Sequence, residues 1–347
     1  MSAAQVPVSQ TGQPTPFNIF RIIQGYQQSY ILKAAVELDV FTTIATGKHT
    51  AAEIAGQTGA AERGIRVLCD ALTVMGLLTK SSNRYSLTPD TSFFLDSRSP
   101  GYMGQALNFL LHPMLVGAFQ NFAEPVRLGG APEKQSSLGA DDPVWEDFAK
   151  GMAPLMVPAA QAIAQHLKAS LGKQSAAKVL DIAAGHGQFG ITVAQQLPQA
   201  QIYAVDWANV LKIAHENAVK HSLGERHHSI PGSAFEVEYG TGYDAALITN
   251  FVHHFDPETN EQLLRKVHAA LRTGGEAVIL EFVPNDDRVS PPIPALFSTS
   301  MLSNTPSGDA YTFKELSQMC RNAGFTGEKL VSLDPMPEAL VIARKEG

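Results

Sequence analysis

A chain of 347 residues, 44% of them hydrophobic, has material for more than one full-sized core, and a net charge of -7 with a pI near 5.9 argues against binding a polyanion. Its two cysteines, Cys69 and Cys320, lie in apolar helical patterns without metal-ligand spacing and read as buried thiols of a reducing compartment. No basic segment followed by an apolar core opens the chain and no apolar run is long enough to cross a bilayer, so the expectation is a soluble, cytoplasmic protein.

Residues 1–16 are polar and rich in Gln and Pro, the composition of a disordered tail. Phe17 to Leu38 is helical in pattern, with Phe20, Ile23, Tyr30, Ala34 and Val36 among its apolar positions. The apolar surface is broad, which predicts burial on more than one side, and a partner subunit can supply the second side. Short helices follow over Val40–Thr46, Thr50–Thr58 (with Thr50 placed to cap it) and Ala61–Met75, then a hairpin over Thr79–Leu87 turning at Ser82-Asn83. Helices followed by a hairpin outline a winged helix over residues 17–100 and raise a DNA-binding regulator as a reading. Eight Lys and Arg stand against seven Asp and Glu over residues 1–100, and that near balance lacks the electrostatic footprint of a DNA reader. Association is the better role.

Residues 101–172 are helical and rich in Phe and Met, broken by Pro125, Gly129-Gly130 and Asp141-Asp142-Pro143. Most of these side chains belong to a core joining two domains. A few can wall a pocket for a flat apolar substrate, with Phe148, Met152 and Met156 as candidates.

From residue 173 the pattern changes to alternating strands and helices. Lys178–Ile182 reads as a strand, Gly185 and Gly187 as a tight turn, Phe189 to Ala194 as a helix, and Gln201–Val205 as a second strand ending in Asp206. Glycine at the turn lets a cofactor approach the backbone, and Asp206 is placed to accept hydrogen bonds from both ribose hydroxyls. Gly185, Gly187 and Gly190 also fit G-x-G-x-x-G, so an NAD-dependent oxidoreductase has to be weighed. Asp181 discriminates: a carboxylate beside this loop repels a diphosphate but suits the ammonium and sulfonium of S-adenosylmethionine. The other reading of Asp181 is a loop cap that hydrogen-bonds backbone N–H groups.

The alternation continues through a helix (Val210–Ser222), a strand near His228–Pro231, the turn Gly232-Ser233-Ala234-Phe235, and a strand over Tyr243–Thr249. After Asn250–Phe255 come a helix (Thr259–Leu271), a strand (Glu276–Phe282), a helix (Phe313–Ala323), and two strands, Gly327–Leu333 and Ala339–Lys345, close enough to pair antiparallel. Ligands of an open α/β sheet bind beyond the strands' carboxyl ends. Those ends carry the glycine turn, Asp206, the adjacent His253 and His254, and Glu281. For a phenolic acceptor a histidine titrates in the right range to remove the proton, and Glu281 can hold the imidazole in the correct tautomer. Adjacent histidines diverge in direction and have no acidic residue at ligand spacing, so no metal is expected.

Together these features resemble the class I S-adenosylmethionine-dependent O-methyltransferases of the plant caffeate and bacterial natural-product type, from about Phe17 to the C-terminus. AAVELDVFTTIA, TAAEIAGQTGA, IRVLCDALTVMGLLTK and YSLTPDTSFFL follow the order of that family's dimerisation domain; VLDIAAGHGQFG matches its cofactor loop and AVD its ribose-binding carboxylate. FVHHF matches the segment whose first histidine is the general base, here His253, and LEFVP the strand carrying its supporting glutamate, here Glu281.

The resemblance implies an α/β, Rossmann-like doubly wound sheet with an antiparallel last strand over residues 173–347, preceded by an all-α, winged-helix-like dimerisation domain over 17–100, with 101–172 as linker and pocket. It implies a homodimeric enzyme of secondary metabolism that methylates a hydroxyl of an aromatic or polyketide-like molecule, without nucleic-acid or membrane partners. The cofactor is placed against Asp181, Gly185, Gly187, Asp206, Trp207, Ser233, Ala234, Phe235 and Asn250, and the acceptor against Phe148, Met152, Met156, His254 and Met301. Three departures stand out: Ser233 replaces an aspartate beside the adenine, His254 replaces an aspartate after the base, and Ala310 replaces a second supporting glutamate. A relative of this fold that binds the cofactor without methylating is the remaining alternative.

Overall fold

The structure is a computed structural model describing residues 14–132, 151–172 and 176–347; the rest of the polar tail, Trp145 and the candidate pocket residue Phe148 lie outside the described residues. Two units divide the chain, residues 1–107 and 108–347.

In the first unit the expected N-terminal helix is interrupted once, at Gln24, giving helices Phe17–Ile23 and Gly25–Glu37. Helices Val40–Ala45, Ala51–Thr58 and Glu62–Val74 follow, and Thr50 forms a full capping box with Glu53. The unit is not all-α: strands β1 (Leu78–Ser81) and β2 (Arg84–Leu87) pair antiparallel as a wing, turning through Ser82, which takes the left-handed φ of 54°. Val40, Phe41, Ile54, Ile65, Leu72 and Tyr85 make its core. Tyr85 sends its hydroxyl to Asp70 at 2.8 Å, and Asp70 also receives Lys80 and Arg66, so the wing is tied to the Glu62–Val74 helix. In contrast, Phe17, Ile19, Phe20, Ile22 and Ile23 of the first helix are all exposed, so the described residues of the single chain do not supply the burial that the broad apolar pattern predicts.

The second unit is built on a seven-stranded sheet, order β5-β4-β3-β6-β7-β9-β8. Its strands are β3 (Lys178–Ile182), β4 (Gln201–Asp206), β5 (His227–Pro231), β6 (Tyr243–Thr249), β7 (Leu271–Glu281), β8 (Thr326–Ser332) and β9 (Ala339–Arg344). The first five are parallel; β9 runs antiparallel between β7 and β8. Every residue of β6 is buried, which requires helices on both faces. Because β4 lies on one side of β3 and β6 on the other, the direction of winding reverses there, and the carboxyl ends of β3, β4, β6 and β7 face one crevice. Glu276 of β7, itself buried, accepts from Ser170 at 2.6 Å and pairs with His166 at 3.0 Å, fastening the Ala153–Leu171 helix to the sheet. Helix Pro292–Asn304 has no counterpart in the sequence reading.

Both cysteines are buried, and burial pushes both thiols up to about 12. His227, at the opposite end of the sheet from the crevice, has neither ring nitrogen hydrogen-bonded among the described residues; burial first, then His215 and His228, push it down to about 4. With the folded value below the ordinary 6.5, the unfolded chain binds the extra proton between those values, so this contribution to stability is present above pH 6.5 and lost as the pH falls towards 4. His227→Phe is expected to shrink the loss of thermal midpoint between pH 7 and 4.5 relative to wild type; equal losses would show that His227 is not its source.

Candidate functional site

The glycine turn after β3 is held from inside. Ala183, Gly185 and Gly187 all have positive φ, a sharp reversal for which glycine is the low-strain residue. Gly185 donates its N–H to Asp206 Oδ2 at 2.8 Å, Gly187 to the Ala184 carbonyl at 2.8 Å, Gln188 to His186 Nδ1 at 3.0 Å, and Gly190 to Asp181 Oδ2 at 3.1 Å. A diphosphate needs free donors at this helix start, and these four are occupied. His186 accepts because burial pushes it down to about 4, which keeps the imidazole neutral. Gly190 is required for a second reason: a Cβ there would lie 2.6 Å from Ile202 and 2.7 Å from Asp181.

Of the two sequence readings of Asp181, the hydrogen bond to Gly190 is the geometry of the loop cap. Asp181 is fully buried, its Oδ1 has no partner among the described residues, and burial, despite the Gly190 N–H, pushes its carboxyl up to about 7. Through Oδ2 it takes the N–H of Gly190 in the first turn of the helix, which removes one donor that a diphosphate would use.

Asp206, half-buried at the end of β4, accepts from Gly185 and, through Oδ1, from the Trp207 N–H at 2.7 Å, with lone pairs left for ribose hydroxyls. Across the crevice mouth, Ser233 Oγ accepts the Phe235 N–H at 3.3 Å, and the Ala234 carbonyl takes Lys266 Nζ at 3.2 Å. Phe235 packs on Phe251 and Phe255 with ring centroids 6.2 and 4.9 Å away. Ser233 therefore shapes this turn through its side-chain oxygen, while Trp207 and Phe235 remain half-buried and available as apolar surface.

The turn after β6 carries the acid–base candidates. Asn250 takes a left-handed φ of 51° and donates its N–H to the Leu280 carbonyl at 2.8 Å. His253 Nδ1 lies 2.6 Å from Glu281 Oε2, while Glu281 Oε1 accepts the N–H groups of Phe251 at 2.9 Å and His253 at 3.3 Å. Both residues are buried. With Nδ1 committed to the carboxylate, Nε2 is the nitrogen left to take a proton. His254 is different: burial, then His253, hold it well below the ordinary imidazole range.

Two residues that sequence reasoning missed brace this turn. Asn260, fully buried in the next helix, donates to the carbonyls of Val252 at 2.8 Å and Phe255 at 3.1 Å; the Tyr311 hydroxyl donates to Phe255 O at 2.5 Å. An asparagine among the apolar positions of the Pro257–Ala270 helix was the available signal. Ala310 is buried and leaves Glu281 without the second glutamate of the family pattern at that position, although Glu338, at the start of β9, is another buried carboxyl near Glu281, raised by burial and then by that charge. Of the acceptor candidates, Met156 takes a weak 3.5 Å contact from the Asn250 amide, Met152 lies one turn earlier, and Met301 is buried on helix Pro292–Asn304, whose Phe297 meets the His253 ring edge-on at 4.9 Å. The structure thus gathers Met156, Asn250, His253 and Phe297 at one end of β6 and β7.

The order of this sheet, with its reversed strand inserted beside the last, is that of solved methyltransferase structures. The chain belongs to the O-methyltransferase family: the family model described as the O-methyltransferase domain matches residues 135–326, and the O-methyltransferase dimerisation domain matches residues 20–97. It is an S-adenosylmethionine-dependent O-methyltransferase of the natural-product type. A crystal structure of a candidate O-methyltransferase from Nostoc punctiforme is 46% identical, with a TM-score of 0.91 over 96% of this chain and 100% of that one. The 3-hydroxy-5-methyl-1-naphthoate 3-O-methyltransferase of Streptomyces sahachiroi is 28% identical over 86% of both chains, and the tetracenomycin polyketide synthesis 8-O-methyl transferase of Streptomyces glaucescens is 25% identical over 95% of this chain and 97% of its own.

Removing the Asp181 carboxylate strands the Gly190 N–H in a buried site, at about 1–3 kcal/mol of stability. In urea unfolding Asp181→Ala is expected to lose that amount and Asp181→Asn, which keeps an acceptor, clearly less; equal losses would contradict the capping role.

Proposed function

We propose that this enzyme transfers a methyl group to a hydroxyl of an aromatic or polyketide-like small molecule, with His253 as general base. The observation that carries the reading is the buried 2.6 Å contact between His253 and a Glu281 whose two oxygens are both engaged. S-adenosylmethionine supplies the electrophilic methyl group. Glu281 fixes the tautomer with Nε2 unprotonated, His253 Nε2 takes the acceptor hydroxyl's proton, and the imidazolium so formed is stabilised by the carboxylate at Nδ1. His254, kept neutral beside it, adds no competing charge.

Gly185, Gly187, Asp206, Trp207, Ser233, Ala234, Phe235 and Asn250 position the cofactor in this reading, Asp206 at the ribose and Phe235 on the adenine side. Asp181 acts one layer further out, through the Gly190 N–H. Met152, Met156, His254 and Met301 wall the acceptor. The names of the Streptomyces relatives, a naphthoate and a polyketide methyltransferase, support the substrate class. The enzyme works as a homodimer that covers the exposed apolar residues of the Phe17–Ile23 helix, within residues 17–100, while residues 101–172 join this module to the catalytic domain at 173–347. Among the described residues no helix is long and apolar enough to cross a membrane.

A panel of phenols, naphthols and hydroxylated polyketides assayed with methyl-labelled cofactor tests the assignment. His253→Ala is expected to lower kcat by about 10²–10⁴-fold, the usual worth of a general base, while calorimetry finds S-adenosylhomocysteine binding unchanged. Full activity in that variant would remove the base and leave alignment alone, or a reaction other than hydroxyl methylation.

A further inference from the structure

Helix Pro292–Asn304 spreads its apolar residues around its axis instead of gathering them in one stripe. Phe297 meets His253 edge-on and stacks on Phe282 with centroids 4.1 Å apart, and Met301, one turn further on, is buried. On the same helix Ile293 and Leu296 are 61% and 65% exposed. Contacts with helices Pro113–Gln120 and Ala123–Leu128 cover only part of it. Its first turn is exposed while Pro294, Met301, Ser303 and Asn304 are buried, so the end where the chain enters is the part least held by packing and depends most on the segment before it.

Both ends converge on one guanidinium. The segment entering the helix is a closed loop: Asn285 donates its N–H to Ser290 O at 2.7 Å, and Asp287 Oδ1 accepts the N–H groups of Val289 and Ser290, each at 3.0 Å. Arg288, at the crest of this loop, sits at φ 56°, a left-handed conformation that a long side chain adopts only when its contacts hold it there. Its guanidinium reaches Asp309 at 3.0 Å and Glu315 at 2.5 Å. Those two residues bracket the segment that leaves the helix and lies on the base. A Cβ on Gly308 would come 2.2 Å from the His253 carbonyl oxygen, and Tyr311 holds Phe255. Glu315 spends its other oxygen on the Thr312 N–H at 2.9 Å, so the anchor is itself fixed.

We propose that Arg288 is a positioning residue: by joining the segments before and after helix Pro292–Asn304 it sets Phe297 and Met301 against His253, and so governs acceptor binding rather than methyl transfer. This rests on the acceptor lying at His253, as proposed above. The three charged side chains are 36–42% exposed, so the clamp weakens with salt.

The test uses the full-length enzyme and the phenol of the panel that is turned over fastest. Arg288→Ala is expected to raise KM for that phenol by about three- to tenfold and leave kcat within about twofold, the pattern of lost ground-state binding. S-adenosylhomocysteine affinity stays constant, amide hydrogen exchange with that ligand bound speeds up over residues 285–304, and Arg288→Lys restores part of both effects. Wild-type KM should move towards the variant's value in about 0.5 M NaCl. Unchanged exchange in Arg288→Ala, faster exchange without a change in KM, or a KM rise matched by an equal loss of cofactor affinity would each overturn the proposal. Should His253→Ala keep full activity while Arg288→Ala still raises KM, the base assignment fails and the clamp stands.

Discussion

The crevice depends on two carboxylates that hold a glycine turn shut. Asp181 from β3 takes the Gly190 N–H and Asp206 from β4 takes the Gly185 N–H, so neighbouring strands grip the same loop from behind and from the side. The consequence is chemical as well as structural. A dinucleotide fold leaves its helix-start donors open for a diphosphate, whereas here the N–H groups of Gly185, Gly187, Gln188 and Gly190 are already engaged. Asp206 keeps lone pairs for further donors after taking the two N–H groups. Ribose hydroxyls can add to Asp206 without displacing either N–H.

From that fixed edge the sheet register places the rest. β6 pairs with β3 on one side and β7 on the other, so the turn leaving Thr249 and the end of β7 at Glu281 lie next to each other. Glu281 is bound by two backbone N–H groups from the turn that carries its imidazole partner, and Asn260 and Tyr311 hold that turn's carbonyls. His253, the carboxylate that holds it and the supporting braces thus come from four chain segments with little freedom. That is the preorganisation that proton transfer to a buried imidazole needs.

Much of this was legible in the chain. Alternating apolar strands and period-3.6 helices marked the doubly wound sheet, Thr50 and Ser82-Asn83 marked a cap and a hairpin turn, and the spacing of Asp206, His253 and Glu281 placed them at strand ends. What sequence could not show was burial. Asp181 looks the same whether it faces a ligand or a backbone N–H, and only the fold shows that one of its oxygens is spent on Gly190. Helix Pro292–Asn304 was missed because its prolines, serines and threonines mask helical propensity and its apolar residues surround it, leaving no stripe to detect. Tyr311 and Arg288 make their contacts across separations in sequence that no local pattern reports.

Calorimetric titration of the wild-type protein with S-adenosylhomocysteine, NAD and inorganic pyrophosphate is the most direct measurement of whether the turn is closed to phosphate. Saturable binding of S-adenosylhomocysteine, with no heat from the other two and no competition by them, is the result this account predicts. Binding of NAD or pyrophosphate that displaces S-adenosylhomocysteine would mean that the N–H groups of the turn are free to be recruited, and would contradict it.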